Sequence, residues 1–241
     1  MSTGEEGRAM DRYTRLLASS HVLLRPVFRA WFRARTKGLQ TWCYPHGESV
    51  VGVPGPEPAR ILLLGDGPAA GYGVLTQQLG VAGHLARHLA ESMARGVVVT
   101  VEAWPAASAE STLERLPHID LDGYDGIVVM LATSDALRLT SRRSWSRSMA
   151  GLLRTLPGSD TRAVFVTTTA SVRLARTLPP FARRVAGRHA QVLDAETRRI
   201  CAETTTTLIP LDAVNELSQR TYATWGRRIA AVVVADLHPN G

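Results

Sequence analysis

Residues 60–73 read RILLLGDGPAAGYG. The first six, Arg60–Gly65, form a continuous apolar run ending in glycine. That run is too short for a buried helix and reads as a strand covered on both faces. The next stretch, Gly65–Gly73, holds four glycines and Pro68, so the chain must turn tightly there. A buried strand that ends in a glycine turn and feeds a helix opens many parallel α/β sheets. In such sheets ligands bind beyond the carboxyl ends of the strands. The turn is therefore the first candidate pocket.

The pattern continues outward from that strand. Residues 74–95 read as a helix, 97–103 (VVVTVEA) as a β-branched strand, and 126–131 (GIVVML) as a second strand buried on both faces. Residues 142–156 read as a helix, 163–168 (AVFVTT) as a strand, 180–204 as a helix in two pieces, 206–211 (TTLIPL) as a short strand and 218–234 as the last helix. Alternation of this kind predicts a three-layer α/β/α domain over 59–235, built on a five-stranded parallel sheet. The segments to inspect are those after the strands: 65–73, 103–111, 132–138, 168–173 and 212–218. Residues 236–241 form a tail.

The flanks differ in kind. Residues 45–58 hold Pro45, Pro54, Pro56 and Pro58 with three glycines, which predicts a linker. Residues 1–44 form a basic arm, helical over 10–37 with a break at Pro26. Arg25, Arg29 and Arg33 share one helix face, and Leu24, Phe28 and Phe32 share a neighbouring stripe. Such a helix suits peripheral contact with an anionic membrane through residues 10–37. It equally suits an arm packed on the domain with its arginines in water.

The chain has 241 residues, enough for one full core, with 45% hydrophobic and 20% charged residues. The formal net charge is +7, but Lys37 is the sole lysine and the arginines are spread along the chain. There is no finger, no helix-turn-helix signature and no aromatic–basic interleaving, so no nucleic-acid partner is expected. Cys43 and Cys201 make no metal spacing and are expected as reduced thiols. No apolar run reaches the roughly 18–20 residues of a membrane span. The first residues do not read as a secretory leader, so the expected location is cytoplasmic, with membrane contact at most peripheral.

Two chemistries compete for the turn. Residues 65–70 match G-x-G-x-x-A, a dinucleotide fingerprint, and Glu102 ends the second strand where a ribose-binding acid would stand. Against this, Glu102 lies too far from the motif, Asp66 puts negative charge where phosphate would approach, and Pro68 removes an N–H from the cradle. The alternative rests on a resemblance. Leu64–Gly67 followed by Ala69–Gly73 resembles the nucleophile block of SGNH/GDSL hydrolases, G-D-S-x-x-x-G-x-G. Leu131-Ala132-Thr133-Ser134-Asp135 resembles their G-x-N-D block, and Trp104–Ala109 lies where their second block falls. The helix with Tyr222, Trp225 and Ile229 resembles the one after their D-x-x-H-P block. These blocks occur in the family's order over residues 60–234. The resemblance implies a flavodoxin-like strand order.

It also implies a serine nucleophile, a histidine base oriented by an aspartate, and an oxyanion hole. Carried over residue by residue, the serine position is Gly67, the second-block glycine is Ala106 and the asparagine is Ser134, while Asp135 is kept. The aspartate and histidine positions fall on Ala213 and Glu216. The nearby Asp236-Leu237-His238-Pro239 has the wrong spacing and too little chain after it. The expected pocket comprises Asp66, Gly67, Ala106, Ser134, Asp135 and Glu216. Asp66, Asp135 and Glu216 could converge on a cation; the plainer expectation is that the two aspartates anchor turns and that there is neither a metal nor a cofactor. His84 and His88 share a helix face without further ligands.

Three functions follow. The leading one is a catalytically impaired or inactive SGNH/GDSL-like protein that binds a small ligand or a partner at the strand edge. The second is an active ester hydrolase with a rearranged site, using a serine such as Ser108 or Ser134. The third is a Rossmann-like nucleotide-binding module.

Overall fold

The structure is a computed structural model and describes residues 44–157, 161, 163–169, 180–212, 214 and 217–237, with residues 26, 30 and 34. The basic arm over 10–37 thus lies, those three residues apart, outside the described residues. Six strands form one sheet: β1 (Val50–Val53), β2 (Ala59–Gly65), β3 (Val97–Ala103), β4 (Gly126–Met130), β5 (Ala163–Thr167) and β6 (Thr207–Ile209). Their order is β1-β3-β2-β4-β5-β6. β2 through β6 are parallel, in the flavodoxin-like order that the resemblance implied, and β1 runs antiparallel to β3.

The expected sheet had five strands; the sixth lies within residues 45–58, which read as a linker. β1 escapes a search for buried runs because only Val51 is fully buried and Val53 partly so, while Val50 is exposed and Gly52 carries no side chain. Its place is fixed by backbone pairing, Val50 opposite Thr100 and Val53 opposite Val97.

The described helices include α1 (Val81–Met93), α2 (Ala109–Arg115), α3 (Thr133–Leu137), α4 (Arg142–Thr155), α5 (Pro180–Ala202) and α6 (Gln219–Leu237). α5 is one helix, not two pieces. α1 starts later than the apolar pattern suggested, after a short 3₁₀ turn at Gln77–Leu79. Alternate residues of β2 feed two cores. Ile61 and Leu63 pack with α1 and α6, where Tyr222, Trp225 and Ile229 lie buried. Leu62 and Leu64 pack with α4 and α5, where Trp145, Met149 and Leu193 lie buried. Both faces of the sheet are thereby covered, which leaves the carboxyl edge of the strands as the place where ligands bind in such sheets.

Candidate functional site

β2 stands between β3 and β4, so the chain leaves Gly65 at the point where the strand order reverses. Gly65 is required there. A Cβ on it would sit 2.3 Å from the Met130 carbonyl oxygen and 2.7 Å from the Ala69 methyl. The turn is held from within by the Ala70 N–H on the Asp66 carbonyl (2.9 Å) and the Tyr72 N–H on the Gly67 carbonyl (2.9 Å). From β4 the Met130 carbonyl accepts the Asp66 N–H at 3.1 Å.

Asp66 is fully buried. Its Oδ2 accepts the Ser134 N–H at 2.9 Å and so ties the turn to the start of α3. Burial pushes its carboxyl up to about 7; the Ser134 N–H opposes this and neighbouring Asp135 adds to it. Asp135 holds a second junction. Its Oδ2 accepts the Ala109 N–H at 3.0 Å, at the first turn of α2, and burial raises its pKa as well. Arg138 completes the frame by donating to the Ala106 carbonyl at 2.7 Å. The ends of β2, β3 and β4 are thus locked together by Asp66, Asp135 and Arg138. The aspartates act here as turn anchors, each spending an oxygen on a backbone N–H.

Sequence reasoning therefore brought Asp66, Ser134, Asp135 and Ala106 to one edge, and the structure joins them. Ala213 and Glu216 lie outside the described residues, as does His238, so a triad aspartate or histidine position and a three-carboxylate cluster have no geometry here. Ser108 is occupied: its hydroxyl caps α2, accepting the Ser111 N–H at 3.2 Å in a reciprocal capping box. His84 meets Arg87, with 2.9 Å between Nδ1 and the guanidinium. The glycine turn does not open a helix. It runs on to the 3₁₀ turn, and α1 begins only at Val81. The helix N-terminus that a dinucleotide pyrophosphate needs is absent from the turn, which counts against the Rossmann reading.

Other site residues gave little sequence signal. Ala106 and Ala132 both have positive φ, +61° and +87°, a conformation that normally favours glycine. Tyr44 reaches the turn from before β1. Its ring packs edge-on against Tyr72 with centroids 5.5 Å apart, and its hydroxyl lies 3.5 Å from where a Cβ on Gly67 would stand. Tyr222, on α6, donates its O–H to the Tyr72 carbonyl, and burial raises its pKa. Proximity to a distant tyrosine cannot be read from local pattern; only the Tyr222 helix had been connected with the site.

The GDSL-like lipase/acylhydrolase family model matches residues 63–241. No curated protein matches the chain. Among solved structures it is similar to a lipase/acylhydrolase from Enterococcus faecalis, with 19% identity, TM-score 0.57, and coverage of 76% of this chain and 99% of that one. It is similar also to TesA, with 17% identity, TM-score 0.59 and coverage of 74% and 99%. A third is the lipase Lip_vut3 from goat rumen metagenome, with 15% identity, TM-score 0.56 and coverage of 72% and 96%. At such identities these likenesses show the fold, while the family match begins inside β2 and takes in every turn of the site. The chain belongs to the GDSL-like lipase/acylhydrolase family.

Proposed function

We propose that this chain is a catalytically impaired or inactive member of its family that keeps the pocket at the carboxyl edge of the sheet and binds a small ligand there. The observation that carries this reading is Gly67. It occupies the position where the resemblance puts the attacking serine, and it has no side chain to attack with. Loss of the nucleophile from a serine hydrolase costs on the order of a millionfold in turnover. The surrounding frame supports binding. The backbone keeps its left-handed turns at Ala106 and Ala132, and Asp66 fixes the Ser134 N–H.

A fluorophosphonate probe tests the reading on the purified protein. No serine is expected to be labelled, and stoichiometric labelling would overturn it. Gly67→Ser provides the second arm. A Cβ there meets only the Tyr44 hydroxyl, at ordinary contact distance. The variant should fold and still give no robust hydrolysis of p-nitrophenyl acetate, because the resemblance puts Glu216, not histidine, at the base position. Robust turnover would show that a base is present and the alignment wrong.

One observation favours a second reading, a rearranged hydrolase. Ser134 lies against Asp66, whose carboxyl titrates at about 7 and could accept a proton near neutrality. Probe labelling that disappears in Ser134→Ala would identify that site. Peripheral membrane contact through residues 10–37 remains a separate proposal. Among the described residues no helix is long and apolar enough to cross a membrane.

A further inference from the structure

The helix pair α4 and α5 carries nine arginines against two acids, Asp194 and Glu196. Neither acid offsets the outer face. Asp194 is turned to Thr169, accepting from its N–H and its hydroxyl at 2.8 Å each. Glu196 is only 4% exposed, and both its oxygens are taken. Oε2 accepts from Arg142 Nε at 2.7 Å, and Oε1 accepts from Arg199 Nη2 at 2.7 Å and Nε at 3.1 Å.

Beside this buried carboxylate lies a pocket of about 360 Å³, lined by Arg142, Arg188, Gln191, Val192, Ala195, Glu196 and Arg199. Five of the α5 residues, from Arg188 to Glu196, recur at three- and four-residue steps and so form one stripe of the helix. Arg199 is committed to Glu196, Glu203 and Ser146. Arg142 uses only Nε on Glu196, so its two terminal nitrogens remain for a ligand. Arg188 makes no hydrogen bond or ion pair among the described residues and lines the same pocket. Three guanidinium groups against two carboxylates, Glu196 and Glu203, leave one net positive charge, which favours an anion. The planar, forked geometry of guanidinium suits the oxygens of a phosphate. The first turn of α4, which begins at Arg142, adds the positive end of a helix dipole. The pocket is far larger than a bare phosphate ion, and Val192, 45% exposed, offers an apolar wall for whatever group bears it.

We propose that the pocket between the first turn of α4 and the Arg188–Arg199 stretch of α5 binds a phosphate monoester, gripped by Arg142 and Arg188 with Arg199 beside them. Its lining shares no residue with the carboxyl-edge site. A small phosphorylated metabolite or the phosphomonoester headgroup of a lipid could supply the same chemistry.

Calorimetric titration with phenyl phosphate tests the site, and flotation with phosphatidylcholine vesicles, with and without phosphatidic acid, distinguishes the two sources. Arg188→Ala removes an exposed side chain that holds nothing else in place, so it should fold normally. It should weaken phenyl phosphate binding by at least about tenfold, since a charge-assisted hydrogen-bonding group is lost. Arg154→Ala removes the same charge from the same helix pair outside the pocket and should bind nearly as the parent does. Flotation with phosphatidic acid that Arg188→Ala abolishes would assign the phosphate to a lipid. Binding of phenyl phosphate alone would assign it to a soluble ligand. Absence of saturable binding in both assays, or equal weakening by Arg188→Ala and Arg154→Ala, would overturn the proposal, since the latter means diffuse charge and not a site.

Discussion

At the scale of single residues, Asp66 sets a pH response with an unusual sign. Its carboxyl is raised from 3.8 to about 7 in the folded chain. As pH rises, the unfolded chain ionises first, so the contribution of Asp66 to stability is whole below about pH 4 and is lost progressively up to about pH 7. The loss is on the order of a few kcal/mol. Asp66→Asn keeps a carbonyl to accept the Ser134 N–H and removes the ionisation. It should match the parent in urea unfolding at about pH 4 and exceed it at about pH 8; a difference that stays constant with pH would refute the assignment. Two neighbouring glycines form a sharper contrast. Gly65→Ala drives a methyl into the Met130 carbonyl and should cost about 3 kcal/mol, whereas Gly67→Ala makes only an ordinary contact with the Tyr44 hydroxyl and should cost well under half of that in the same unfolding assay. Sequence showed that the turn needs glycine. It could not show which one, because the obstacle at Gly65 comes from β4, some 65 residues away. Tyr44 was invisible for the same reason: its bearing on Gly67 exists only once β1 has folded onto β3.

At the scale of elements, the strands that could be read were those buried on both faces. β2 and β4 announce themselves as RILLLG and GIVVM, while β1 has one fully buried residue and depends on pairing for its existence. The short helices α2 and α3 lacked enough turns to show a period, although Ser108 and Ser111 hold the cap signal for α2. The break expected within 180–204 is absent because Gly187 faces open space, costing only about 1 kcal/mol, while Ala186, Ala190, Leu193 and Ile200 bury one continuous face. Glu196 joins α5 to α4 with a sign opposite to that of Asp66. Its guanidinium partners, Arg199 foremost, lower its pKa from 4.5 to about 2. The stabilisation is therefore present above the unfolded value and disappears as pH falls through about 2. Glu196→Gln should melt earlier than the parent at neutral pH, and the gap should close as pH falls toward 2; thermal melts at several pH values measure it.

At the scale of the whole molecule, two cores share one sheet. Adjacent residues of β2 face opposite sides, Leu63 toward Tyr222 and Trp225 and Leu64 toward Trp145. Neither core can come apart without exposing the other face of the same strands, so unfolding should be a single transition. Variants that retain only Trp145 or only Trp225 report on the two layers separately. Corrected for each variant's own stability by circular dichroism, their fluorescence midpoints should coincide with loss of helix; separated midpoints would mean independent layers. The overall architecture was legible because alternating apolar runs carry it, and so was the edge at which the turns converge. The bonds that fix that edge were not, since a carboxylate that will accept a backbone N–H from another turn looks in sequence like any other aspartate. The borders of the sheet have a consequence for how the protein behaves when crowded. Among the described residues its outermost strands are β1, four residues long and followed by Pro54, and β6, three residues long and followed by Pro210. An incoming strand from another copy would find few free amide groups in register and a proline where the ladder should continue. Self-association by growth of the sheet is thus cut short on both sides, which favours a chain that stays dispersed at high concentration and resists templating fibrils.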